Sequence, residues 1–111
     1  MKILQTTRKI AELNDILRKT GTGGRVVATS GIAALGNEAV SIIMNQIKAF
    51  DDFTPNNDPN HEHDFGVIIH DEHKCFWKID YYDHHFENAS NDPANAMITN
   101  RVLTVMLAEE Y

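Results

Sequence analysis

FGVIIHDEHKCFWKIDYY, residues 65–82, decides how this chain folds. Two runs rich in β-branched and aromatic residues flank the polar segment Asp71-Glu72-His73-Lys74. That pattern predicts a hairpin with strands over 65–70 and 75–82. A four-residue loop sets His70 opposite Cys75. One face then carries Ile68, Trp77, Ile79 and Tyr81, and the other carries Phe65, Val67, Ile69, Phe76 and Tyr82 with Lys78 and Asp80 among them. Both sets are mostly apolar, so both faces are expected to be covered. A slip of one residue would exchange the two sets.

Upstream of the hairpin, residues 51–64 lack periodicity and hold two Pro and three Asn, which predicts a long ordered loop. The segment before it, 38–50, reads as a helix capped by Asn37, with Val40, Ile43, Ile47 and Phe50 on its buried stripe. Further back come a single helical turn over 32–35 and a short strand, RVVAT, over 25–29. The first helix spans 3–19, with Ile10, Leu13, Ile16 and Leu17 as its apolar stripe and Gly21 as its C-cap. The glycines that follow, Gly21-Thr22-Gly23-Gly24, lack the Lys-Ser/Thr ending of a phosphate loop and are read as a turn from helix to strand.

Downstream, residues 83–93 are a polar connection, and Asp92-Pro93 or Asn95 starts a last helix that runs to about Glu110. Ile98, Val102, Val105 and Met106 form its stripe, with Leu103 and Leu107 beside it. A face that wide is expected in the core, or else in a homodimer contact through this last helix. The reading is α+β in the order α-β-α-β-β-α, a single domain over 1–111, with a small antiparallel sheet centred on the hairpin.

Charge is unevenly placed. Residues 1–50 carry seven Lys/Arg against three acids, whereas 51–92 carry eleven acids against Lys74 and Lys78. An acidic middle repels phosphate and argues against nucleic-acid binding there. The only cysteine, Cys75, makes a reducing cytoplasm the default compartment. Charged residues interrupt the N-terminal segment too often for a signal peptide, and no stretch approaches the length of a membrane span.

GTGGRVVATSGIAALG (21–36), FDDFTPNNDP (50–59), EHDFG (62–66), FWKIDYYD (76–83) and TNRVLTVMLAEEY (99–111) together resemble a bacterial family known as domain of unknown function 3768. The resemblance implies an accessory protein, often carried on plasmids and other mobile elements, and it assigns no activity. It singles out His63, within EHDFG, among the six histidines. Asn57 and Asn95 stand where the family pattern has Asp.

Two kinds of chemistry are available to these residues. His61, Glu62, His63 and Asp64 offer metal-ligand types, as do His84 and His85, but the spacing H-E-x-x-H is missing and no metal or cofactor is assigned. Lys78 and Asp80 share a strand face near Asp64, which with His63 gives a catalytic candidate set for a small metal-dependent hydrolase or nuclease. The favoured reading is a non-enzymatic module that binds a protein partner, such as a host or defence complex. Its acidic surface would comprise Asp51, Asp52, Asp58, Glu62 and Asp64. Cys75 on an apolar strand is a poor nucleophile.

Overall fold

The computed structural model describes residues 4–111, and the expected start of the first helix at residue 3 lies outside them. The chain is α+β. It forms helix α1 (Gln5–Thr20), strand β1 (Arg25–Ala28), the single turn α2 (Ser30–Ala33), helix α3 (Asn37–Lys48), strands β2 (Phe65–His70), β3 (His73–Tyr82) and β4 (Asn100–Leu107), and a closing 3-10 turn (Ala108–Glu110). Gly21, at φ 76°, ends α1 by donating its N–H to the carbonyl of Leu17. Gly36 takes the cap before α3 at φ 99°, so Asn37 falls inside that helix rather than capping it.

The strands form one sheet in the order β1-β4-β3-β2. The hairpin is present but tighter than expected. Only Asp71 and Glu72 turn the chain, so His70 faces His73 and Ile68, not His70, faces Cys75. This correction moves the pairing by two residues, and two residues preserve the pleat. Trp77, Ile79 and Tyr81 therefore keep the face that the sequence assigned to them, opposite Lys78 and Asp80.

The last helix does not exist. Residues 100–107 are β4, antiparallel to β3 with Trp77 opposite Val105, and parallel to β1 with Val26 opposite Leu103. The sheet is thus mixed rather than antiparallel, and a homodimer contact through a C-terminal helix falls with that helix. The strand is apolar on both faces, with Val102 and Met106 on one and Leu103 and Val105 on the other, and periodicity does not separate such a run from a buried helix. The supposed caps make turns instead. The Asp92 carboxylate accepts from the Ala94 N–H at 3.3 Å, and the Asn95 side-chain oxygen accepts from Met97 N–H at 3.0 Å.

The core lies between the sheet and the helices. Leu17 of α1, Ile32 of α2 and Ile43 and Ile47 of α3 pack on Ile68, Cys75, Trp77, Ile79, Leu103 and Val105. Ile16, placed on the α1 stripe by spacing, is 47% exposed, and Asn14 and Arg18 take buried positions there. The opposite face carries Phe65, Val67, Ile69, Lys74, Phe76, Lys78, Asp80 and Val102, exposed or half-buried, and Met106, which is buried beside Phe76. Both faces were expected to be covered, but the helices cover one, and residues of the C-terminal turn such as Tyr111 only edge the other. Tight packing marks the covered side. A Cβ on Gly66 would lie 2.3 Å from Nε1 of Trp77, a buried N–H with no hydrogen-bond partner.

Candidate functional site

The loop over residues 51–64 is held by α1. Arg18, almost fully buried, donates through Nη1 to the carbonyls of Ile47 (3.1 Å), Lys48 (3.2 Å) and Phe50 (2.7 Å). Ile47 and Lys48 lie in the last turn of α3 and Phe50 just past it, so a side chain of one helix closes the end of another. Through Nη2 it meets Asp15 at 3.0 Å, and its guanidinium lies 5.4 Å from the Phe53 ring and 5.6 Å from Trp77. Asp15 then holds the His63 Nδ1 at 3.0 Å, while the His63 ring stacks on Phe53 at 3.9 Å and 3°.

Asp58 is buried and accepts from the N–H groups of Glu62 and His63 through one oxygen. His61 and His63 sit at φ 60° and 56°, the left-handed region that a non-glycine residue enters only when its surroundings fix it. Asn57 accepts from Thr54 N–H and donates to the Asp52 carbonyl, a pair of bonds that uses both the oxygen and the N–H of an amide.

A second polar network lies beside the first. Asn14, fully buried, donates to the Glu62 carbonyl (2.9 Å) and to the Tyr81 hydroxyl (2.7 Å), and accepts from the Arg101 Nε at 2.8 Å. The Tyr81 hydroxyl passes its proton-donating bond on to Glu62 Oε1 at 2.9 Å. Arg101 covers the Tyr81 ring at 5.2 Å and also donates to the Pro93 carbonyl. Burial pushes the Tyr81 phenol far above its ordinary range, so the network holds a neutral hydroxyl.

Asp64 joins this region to the other face of the sheet. Its carbonyl accepts from Ile79 N–H at 2.8 Å, which aligns it at the mouth of the hairpin. Burial, with the carboxylates of Glu62, Asp58 and Asp80 adding to it, pushes the Asp64 carboxyl up to about 6. An open cleft of about 390 Å³ lies here, with Asp64, Asp80, Tyr82, Glu87 and Asn88 on its walls. Lys78 is committed to Asp80 at 2.5 Å, and that bond raises its own ammonium above the ordinary lysine value.

The residues singled out from sequence are therefore divided. Asp58, Glu62 and His63 converge with α1 on the helix-covered side, Lys78 and Asp80 pair on the bare side, and Asp51 and Asp52 are exposed at the loop entry. His63, Lys78 and Asp80 do not meet as a catalytic set. Among the described residues no three His, Cys, Asp or Glu side chains are grouped to hold a metal ion. Cys75 is buried, and burial raises its thiol further from reactivity.

Sequence reading missed Asn14, Asp15, Arg18 and Arg101. One signal was present, since Asn14 stands four residues after Ile10 and three before Leu17, inside the apolar stripe itself.

No helix among the described residues is long and apolar enough to cross a membrane. No curated protein and no solved structure matches the chain. The model of a family described as "Protein of unknown function (DUF3768)" matches residues 28–110. That span takes in the loop, the hairpin and β4, and begins after α1, so the helix that pins the loop precedes it. The chain belongs to this DUF3768 family.

Proposed function

We propose that this protein is a non-enzymatic binding module that takes a basic, partly apolar segment of a protein partner. The segment would lie across the bare face of the sheet, with its cationic side chains in the acidic cleft at the hairpin mouth. The observation that carries this reading is the uncovered face itself. Phe65 and Phe76 pack against each other at 5.3 Å yet stay half-exposed, and Val67 and Ile69 beside them are 37% and 59% exposed. Contiguous apolar surface of this kind on a small domain is a mark of an interaction site.

The cleft adds the charge preference. Asp64, Asp80 and Glu87 share it, and of the two lysines on that face of β3, Lys78 is paired with Asp80 and Lys74 lies over the Phe76 ring at 5.7 Å. A guanidinium or ammonium placed there would favour the ionised Asp64 carboxyl, which burial first and the neighbouring carboxylates second push up to about 6. Asp51 and Asp52 extend the acidic surface, whereas Asp58 and Glu62 are occupied by bonds within the protein. We place the module in a reducing cytoplasm, where the single buried Cys75 stays a thiol.

Affinity capture from a lysate of the native host tests this, with the wild-type chain compared with Phe76→Gln and Glu87→Gln. The wild type is expected to retain a stoichiometric protein at low salt, and each variant to lose most of it. Arg8→Gln, on the opposite side of the molecule, is expected to retain it. Capture that is indifferent to both variants, or that strengthens with salt, would overturn the reading.

A further inference from the structure

Strand β2 is an edge strand, and the bond from Ile79 N–H to the Asp64 carbonyl fixes which way its backbone groups face. Asp64, Gly66 and Ile68 turn their N–H and C=O groups towards β3, so Phe65, Val67 and Ile69 turn theirs outwards. The Ile69 carbonyl receives one long bond, from Gln46 Nε2 at 3.4 Å. Edges of this kind are normally blunted by charge, proline or a bulge. At its outward positions β2 has none of these, and the opposite edge, β1, is only four residues long.

We propose that β2 pairs antiparallel with β2 of a second copy of this chain, about a twofold axis through Val67, to make one sheet of eight strands. The register follows from the ladder. Outward-facing residues must pair with outward-facing residues, and only a centre at Val67 uses all three, setting Phe65 opposite Ile69 and Val67 opposite itself. The same register sets Asp64 of each copy opposite His70 of the other, a carboxyl against an imidazole and not like against like. The strand is thus its own complement in both apolar side chains and polar flanks, which selects a second copy over an unrelated strand. Gln46 would release the Ile69 carbonyl to the Phe65 N–H of the other copy. The side chains of Phe65, Val67 and Ile69 share the bare face, so pairing would join the two bare faces into one continuous surface.

Net charge opposes this association, because each copy carries −6. Pairing should therefore tighten as salt rises, the opposite sign from capture of a basic partner. Sedimentation equilibrium over a wide protein concentration range, at low and at high salt, is expected to show the mass rise from 12.5 kDa to twice that value. Val67→Lys places two ammonium groups on the axis and is expected to leave only monomer; its site is exposed enough for the fold to survive, which Trp77 emission checks. Val67→Cys is expected to cross-link to a covalent dimer on mild oxidation, since hydrogen-bonded antiparallel partners stand about 5.5 Å apart at Cα, within disulfide range. Ile69→Cys, facing Phe65 instead of itself, is not expected to cross-link, and buried Cys75 does not compete. A wild-type chain that stays monomeric throughout would overturn the proposal. So would a dimer that survives Val67→Lys, or cross-linking at 69 as fast as at 67. None of these outcomes bears on the Phe76 and Glu87 capture experiment.

Discussion

Replacing Arg18 measures how much of this fold depends on one side chain. Its Nη1 serves three carbonyls at the end of α3, and its Nη2 serves Asp15. Arg18→Met keeps much of the apolar stem but leaves those acceptors and the Asp15 carboxylate without their donor. Hydrogen bonds to a charged group contribute about 1.5–3 kcal/mol each, but water regains part of the loss at the half-exposed Phe50 end, so a total of about 3–4 kcal/mol is expected. Arg18→Lys keeps the charge and loses the planar fork, for a loss of about 2 kcal/mol. With a urea dependence of about 1.5 kcal/mol per molar, the midpoint should fall by about 1.3 M for Lys and by more than about 2 M for Met. Trp77 is the only tryptophan and is fully buried, so its emission reports the transition directly. A midpoint for Arg18→Met within about 0.3 M of wild type would refute the capping argument. It would mean that a hydrophobic isostere does the same work, as happens at some buried ion pairs.

Asp64 sets a pH dependence. Its carboxyl is raised to about 6 in the folded chain from an ordinary 3.8, so the folded state binds more protons between those values and stability falls as pH rises through that window. Asp64→Asn should raise stability by about 1–2 kcal/mol at neutral pH, after allowance for solvent reaching this half-buried group, and by little near pH 4. Urea midpoints that differ equally at both pH values would contradict this. Tyr81→Phe removes a hydroxyl that accepts from Asn14 and donates to Glu62. It should cost about 1–2 kcal/mol, less than Asn14→Ala, with a coupling of about 1 kcal/mol in the double-mutant cycle; strict additivity would show the network to be incidental. Gly66→Ala drives a methyl to within 2.3 Å of Trp77 Nε1 and 2.9 Å of Phe50 Cζ. Both strands are fixed there, so a loss of at least about 3 kcal/mol and a shifted Trp77 emission are expected, and an unchanged melting curve would show that the strands part easily.

The hairpin was legible because alternation along residues 65–82 specifies faces, and faces survived the two-residue error in the turn. The length of the turn was not legible, since Asp71-Glu72 and Asp71-Glu72-His73-Lys74 are equally polar. Residues 100–107 misled for a physical reason: Val102, Val105 and Met106 satisfy helical spacing, while Arg101, Leu103, Val105 and Leu107 satisfy a strand, and Val102 and Met106 put apolar residues on the other face of that strand as well. β-branched Val102, Thr104 and Val105 were the available hint.

At the candidate site, the loop was found from its lack of periodicity and its crowd of acceptors. Its anchors were not, because Asn14 and Arg18 are polar residues used as core, and the chain has to close before that use is visible. The histidine-rich segment resolved into individual roles, with His63 held between Asp15 and Phe53 and the others apart from it.

Strand β4 comes last along the chain yet lies between β1 and β3. A ribosome delivers residues in order, so β1 and the hairpin must both wait for their common neighbour. Until residues 100–107 have left the exit tunnel, Val26 lacks Leu103 and Trp77 lacks Val105. From the completion of β3 until β4 arrives, the nascent chain therefore carries two unpaired strand margins, and the docking of β4 closes both at once.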